Sequence, residues 1–269
     1  VPQTAYAPEQ LRAIASQLGQ TYADGEARIL RILAQGNITE WKRAFLREQL
    51  RQIRAILGQL STETGAWAQM HLPGLYAAGM RFVEQALPGT IDPALASLHT
   101  QAIQLIGENL ATELGDALTR VGRTTDDVFR RVGMEQIQQG LVGGEARPQV
   151  SQRIVADLRR RGLTSFTDKA GREWSLSQYA AMVARTTTRE AVAAGGRNRQ
   201  LEAGYDLAVI SSHPGSCELC APWEGEIVSL TGATDGYPTL NDAIDEGYNH
   251  PNCGHSEMPY VPELSEVGD

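Results

Sequence analysis

The chain has 269 residues, enough for one sizeable hydrophobic core or two smaller ones, and a formal charge of −8. It lacks both an apolar run of about eighteen residues and a basic-then-apolar leader, so neither a membrane-spanning helix nor visible secretion is expected. All 24 Lys and Arg lie in residues 1–199, whereas residues 200–269 carry 13 acids and no base, so any contact with nucleic acid must come from the first part.

The chain opens on Val1 rather than Met, which suggests a trimmed or processed amino terminus. From residue 7 to 162 the pattern is one of successive amphipathic helices. Pro8 and Glu9 open the first, and Asp24-Gly25 is expected to break it before the apolar group Ile29, Leu30, Ile32 and Leu33. Thr39 is a candidate cap for a long helix whose apolar residues Trp41, Phe45, Leu50, Ile53, Leu57 and Leu60 recur at steps of three and four. Arg43, Arg47, Arg51 and Arg54 share one face of that helix, ordinarily a solvated face and alternatively a binding surface. Arg far outnumbers Lys here, a composition suited to bidentate contacts with phosphate or carboxylate.

Pro73-Gly74 should kink or divide the next helical stretch, and Pro88-Gly89 should end it. A helix from about residue 92 to 121 carries Ile106, Leu110, Leu114 and Leu118 as one stripe; Thr125-Asp126-Asp127 should open another, closed by the glycines at 140–144. Residues 148–161 form the last of the series, ending in Arg159-Arg160-Arg161-Gly162. The expected layout is α+β: a helical bundle or elongated arm over residues 1–162, followed by a small α+β domain over residues 163–269.

Within that second part, Phe166 to Trp174 reads as two short strands around a turn, and Ser175-x-x-Gln178 as a capping box for a helix running to about Glu202. The centre of this helix, Arg185-Thr-Thr-Thr-Arg189-Glu190, is polar and β-branched, so it should pack against the closing lobe or serve a function. Arg185 is expected to be paired inside the domain. Strands follow at 207–210 and 227–230, a short helix capped by Thr239, and a final strand at 257–261.

All three cysteines and three of the five histidines fall within residues 213–255, as His213, Cys217-x-x-Cys220 and His250-x-x-Cys253-x-His255. Two donor pairs at this spacing can each clamp an ion from a tight turn and together close a tetrahedral zinc site. Redox-active thiols are an alternative, although Pro222 favours a loop over the helix that opens a thioredoxin-like motif; a disulfide would need an oxidising compartment and would leave one cysteine unpaired. Six donors compete for four places. Cys217, Cys220, His250 and Cys253 are the preferred structural zinc ligands, with His255 as substitute and His213 as outsider.

The motifs Gly171-Arg-Glu-Trp174, Tyr179 to Arg185-Thr186, Val209 to His213-Pro-Gly, Trp223-Glu-Gly225, Tyr237-Pro-Thr-Leu240 and Asn252-Cys253-Gly-His255 occur in an order that resembles the tailed-phage minor capsid protein 2 family, itself related to head-morphogenesis proteins of the Mu type. Tyr179, Arg185, Thr186, His213, Trp223, Gly225, Cys253 and His255 fall on motif positions of that family. Cys220 stands where His is common and Gly254 where Arg is usual. The resemblance covers about residues 165–262 and implies a minor structural protein of a phage or prophage head. Its implied setting is the virion, at the head interior or portal vertex, after assembly in the host cytoplasm. The implied partners are the portal and/or major capsid protein; no membrane is expected, and DNA contact would come through the Arg-rich helices.

A metal-dependent hydrolase or nuclease is the rival expectation, because Arg185, Glu190, His213 and the metal cluster could form such a site, with Glu218, Glu224 and Glu226 available as general base. The acidity of that lobe, which repels a polyanion, and its surplus of donors, which fills the shell, favour a structural role without turnover.

Overall fold

The computed structural model describes residues 7–34, 43–87, 96–142, 164–168 and 171–262. Helices α1 (Pro8–Ala34), α2 (Arg43–Ala86) and α3 (Ala96–Val142) precede a hairpin of β1 (Ser165–Thr167) and β2 (Glu173–Ser175). Then come α4 (Leu176–Glu202), β3 (Leu207–Ile210), β4 (Ile227–Ser229), α5 (Leu240–Asp245) and β5 (Glu257–Pro259). The chain is thus α+β, helical first, with its small sheet and Cys/His groups in the C-terminal part. The boundary expected at residue 162, the cap at Thr39 and the helix at 148–161 lie outside the described residues.

Three expected interruptions are absent. Helix α1 runs through Asp24-Gly25, because Tyr22 and Ile29 are buried on either side and a side chain at 25 would meet Leu60 at 2.8 Å. Helix α2 is not divided at Pro73, so of the two outcomes expected there, a kink or a division, the division is the one set aside. A proline forfeits one intrahelical bond, and the burial of Leu72, Leu75 and Tyr76 beside it offsets that loss. Helix α3 runs through Thr125, whose hydroxyl donates back to the Val121 carbonyl at 2.8 Å instead of capping a new helix. In each case tertiary burial overrides a local breaking signal.

The chain forms two compact units, each discontinuous in sequence. One comprises Ser16–Trp67 and Leu110–Val183. Its core holds the buried side chains Leu18, Tyr22 and Ile29 of α1, Ile53, Leu57 and Leu60 of α2, and Leu110, Leu114 and Val121 of α3, residues that helical spacing places on single faces. Thr64, buried in that core, shares a hydrogen bond of 2.8 Å with the Tyr22 hydroxyl. The β1–β2 hairpin is antiparallel, with Phe166 opposite Trp174. Both rings meet Tyr179 edge-on, at 5.0 and 5.8 Å between centroids. Ser175 accepts from the Gln178 amide at 3.2 Å, the side-chain half of the expected capping box, and the Ser177 amide donates to Glu26 at 3.2 Å.

The other unit comprises Val1–Ala15, Ala68–Asn109 and Ala184–Asp269. Here α2 and α4 cross backbone to backbone. A Cβ on Gly79 would stand 1.9 Å from the Val192 carbonyl oxygen, and one on Gly195 would stand 2.0 Å from that of Tyr76. Beside the crossing, Tyr76 links Asn198 (2.6 Å) to His99 (2.9 Å), His99 meets Glu202 (2.5 Å), and buried Arg199 pairs with Glu84 (3.3 Å). Strand β3 is the centre of an antiparallel sheet of order β4-β3-β5, with Ala208 opposite Val228 on one side and Pro259 on the other.

Asp206 ties the sheet to the following loop. It accepts from the Thr231 amide (2.9 Å), the Thr231 hydroxyl (2.7 Å), the Thr234 hydroxyl (2.8 Å) and Ser229. Burial raises the pKa of this carboxyl, but the hydrogen bonds outweigh it and hold the group down to about 2.

Gly195→Ala should lower stability by about 1–3 kcal/mol or more through overpacking of backbone on backbone. Gly58→Ala, on an exposed helical surface with nothing near its Cβ direction, should raise it by about 0.5–1 kcal/mol. Urea unfolding of the two variants checks both signs. Because Asp206 titrates lower when folded, its stabilisation is complete above the unfolded value of about 3.9 and drains away as pH falls towards 2. Asp206→Asn should therefore be less stable than the parent at pH 6, with the gap closing at pH 2.5.

Candidate metal centre

The site is built from two turns of the same kind. The Cys220 amide donates to the Cys217 carbonyl at 3.1 Å, and the Cys253 amide donates to the His250 carbonyl at 2.9 Å. Each turn brings the first and fourth residues of its motif to one side, which is the physical meaning of the x-x spacing. The first turn continues into a 3-10 segment, Ala221–Trp223, with Pro222 inside it, so the Cys-x-x-Cys does not open an α-helix. Trp223 is buried, and Gly225, at φ 79°, turns the chain so that its amide reaches the Ile210 carbonyl at 2.9 Å.

The donors converge. Cys217 Sγ lies 3.1 Å from His250 Nε2, Cys220 Sγ lies 3.7 Å from Cys253 Sγ, and Cys253 Sγ lies 3.4 Å from His255 Nδ1. Cys217, Cys220 and His250 form one triad with ligand atoms within 4.8 Å of one another, and Cys220, Cys253 and His255 form a second. Cys220 belongs to both. Thiolates held at about 2.3 Å by one tetrahedral ion would stand about 3.75 Å apart, an edge that the Cys220–Cys253 separation matches. The same separation is nearly twice the roughly 2.05 Å of a disulfide bond. His250 Nδ1 faces the Pro251 carbonyl at 2.9 Å, which fixes the proton there and leaves the Nε2 lone pair, a ligand atom, facing Cys217.

The thiols differ in environment. Cys217 is exposed, and hydrogen bonding, chiefly from the Cys220 amide, lowers its pKa to about 7. Burial pushes Cys220 up to about 12. Around them the lobe's core is small: Ala208, Ile210, Trp223, Val228, Leu240, Ala243 and Tyr248, with Cys220 and Cys253 themselves.

Helix α4 grips the second turn. Asn249 and Asn252 both adopt left-handed backbone, at φ 62° and 65°. Arg185 donates from Nε (3.2 Å) and Nη2 (3.0 Å) to the Asn252 side chain; Arg189, one helical turn on, donates to the Asn249 side chain and to the His255 carbonyl (3.4 Å). The polar centre of α4 thus packs against the Cys/His lobe. Arg185 is paired inside the domain, as its position suggested, but it is exposed, and its partner is the side-chain carbonyl oxygen of Asn252 in the Cys/His lobe. The ion-paired arginine of the lobe is Arg197, held by Glu190 (2.6 Å) and Glu257 (3.1 Å).

His213 and His255 lie ring to ring, 4.2 Å between centroids. Tyr179 is elsewhere, in the aromatic packing of the β1–β2 hairpin, and Thr186 follows Arg185 on α4. Sequence reasoning missed Asn249, Asn252 and the role of Glu224, which accepts from the His213 amide (3.0 Å) and from His255 Nε2 (2.8 Å). These contacts hold its carboxyl below the usual range, the His213 amide first. Asn in a turn next to Cys or His was the only available signal, and it marks left-handed backbone, not a partner.

The sequence profile of the phage minor capsid protein 2 family matches residues 6–269, and the chain belongs to that family. A structural protein of Lactococcus phage LL-H is 33% identical over 119 residues, which is 40% of this chain and 31% of the relative. The chain therefore spans about a third of that relative's length. No solved structure matches the chain.

Arg189→Ala should cost about 1–3 kcal/mol by leaving half-buried acceptors of the second turn unpaired, and should speed amide exchange over residues 249–255. Arg185→Ala, losing an exposed contact, should cost less than about 1 kcal/mol. Exchange mass spectrometry and thermal unfolding of the two variants test the order.

Proposed function

We propose that the protein is a minor structural component of a phage or prophage head, seated beside the portal and acting in head assembly or in DNA packaging or ejection, without turnover chemistry of its own. Family membership over nearly the whole chain carries this reading. The acidic C-terminal part supports it, since residues 200–269 offer no Lys or Arg to a polyanionic substrate.

In this reading one zinc ion staples the C-terminal lobe. The donor set fits: three sulfurs and an imidazole, soft and borderline ligands, on two matching turns with a tetrahedral sulfur–sulfur edge. Cys217, Cys220, His250 and Cys253 would hold the ion. Bound there, it supplies a cross-link between chain segments that the small apolar core cannot supply alone. His255 then lies beside the shell, with its Nδ1 3.4 Å from Cys253 Sγ.

The docking surface lies on the helices. Arg28, Arg31 and Arg51 line an open hollow of about 380 Å³ with Ile32, Ile56 and Gln59, a patch of positive charge over apolar atoms that suits an acidic face of the portal or shell. Arg51 is paired with Glu48 at 2.5 Å and neighbouring Arg54 with Asp126 at 2.7 Å, so Arg28 and Arg31 lead the patch.

Purified full-length protein should contain about one zinc at its cysteines and should capture portal or major capsid protein, less so at high salt, because exposed charges are screened beyond about 10 Å at 0.1 M. Triple replacement of Arg28, Arg31 and Arg51 by Ala should weaken that capture. Absence of any head-protein capture, together with metal-dependent DNA cleavage lost in His250→Ala, would overturn the assembly reading in favour of a nuclease.

A further inference from the structure

Next to the cysteines lies a second convergence of donors that the zinc staple does not use. His213, Glu224 and His255 each bring one ligand atom within 4.8 Å of the other two. The His213 Nδ1 faces the Pro214 carbonyl at 3.1 Å, which places the ring proton there and leaves Nε2 with its lone pair free. That Nε2 is buried and, among the described residues, has no hydrogen-bond partner. His255 is buried as well; its Nδ1 lies 3.4 Å from Cys253 Sγ, and its Nε2 lies 2.8 Å from Glu224 Oε1 and 3.4 Å from Ser216 Oγ.

The backbone makes room for this arrangement. A Cβ on residue 254 would stand 2.9 Å from His213 Nε2, so Gly254 lets the ring lie over the chain between Cys253 and His255. The His213 amide, donating to Glu224 Oε1 at 3.0 Å, fixes the carboxylate beside both rings. An ordinary hydrogen bond from His255 to Glu224 would account for two of the three groups. It leaves the His213 nitrogen buried and unpaired, an arrangement that costs about 1–3 kcal/mol unless something fills the gap.

We propose that His213 Nε2, His255 Nε2 and the Glu224 carboxylate form a second metal site, for a first-row divalent ion such as zinc. Two imidazoles and one carboxylate are the donor set of an open site, in which water completes the shell. Donors at about 2.0–2.2 Å from such an ion stand about 3.3 Å apart, within reach of the present 2.8 Å contact and 4.8 Å envelope. His255 then serves both centres through different atoms: Nε2 ligates, while Nδ1–H donates to Cys253. This site shares no ligand with the zinc staple, because none of its three ligands is among the four assigned there.

Cobalt(II) titration of the metal-stripped full chain distinguishes the two. The expected result is two equivalents, one with intense thiolate-to-cobalt charge-transfer absorption and one with weak d–d bands alone. His213→Ala and Glu224→Gln should each abolish the equivalent without charge transfer and keep the other, with circular dichroism confirming that both variants are folded. Cys217→Ser should weaken the charge-transfer band and leave the His213-dependent equivalent in place. A wild-type protein whose single equivalent shows the charge-transfer band, or a second equivalent that persists in both His213→Ala and Glu224→Gln, overturns the proposal. Loss of the charge-transfer band in wild type with a His213-dependent equivalent retained would remove the cysteine staple and support this site.

Discussion

The geometry of the Cys/His lobe depends on how α4 is pinned. Two glycines allow α2 and α4 to touch through their backbones, Gly79 against the Val192 carbonyl and Gly195 against that of Tyr76. A contact this close fixes rotation and translation of α4 together, because either displacement drives carbonyl oxygens into the opposing helix. The rest of α4 is then committed: Arg185 and Arg189 point to the turn at residues 249–252, and Arg197 reaches Glu190 and Glu257. The positions of His250 and Cys253 follow from that grip.

The lobe combines few apolar residues with many directional contacts. Seven core side chains besides the cysteines cannot define a unique arrangement by burial alone. Hydrogen bonds take over, and they are concentrated on irregular backbone: Asp206 on the loop after β4, Asp242 in the Thr239 capping box, Glu224 on the His213 amide, and the arginines on two left-handed asparagines. Such contacts specify geometry strongly while contributing modest net stability. A metal cross-link suits a lobe of this composition, since it adds stability without requiring a larger core.

The two ends of His255 show how one residue can belong to two environments. Its Nδ1 faces a sulfur and its Nε2 faces a carboxylate, so the ring lies between a soft and a hard donor group. The acids of the C-terminal part are thus not all solubilising charge; Glu224 and Glu257 are each spent on a specific internal partner. Charge segregation along the chain accordingly reflects local pairing as well as surface potential.

Much was legible in the sequence. The four-residue spacing of Leu110, Leu114 and Leu118 fixes a helix face because side chains at that spacing point one way, and the five short strands and the Thr239 cap follow from equally local rules. The Cys-x-x-Cys and His-x-x-Cys motifs identified their donors because an i to i+3 turn brings its ends together whatever surrounds it. The breaks expected at Gly25, Pro73 and Thr125 were set aside by tertiary packing, which supplies more free energy per turn than one weak helix former removes. Only the folded chain could bring Arg189 to Asn249, or Glu224 and His213 to His255. Those pairs are separated by 60, 31 and 42 residues, and their meeting depends on helix crossing and sheet register, which no local pattern encodes.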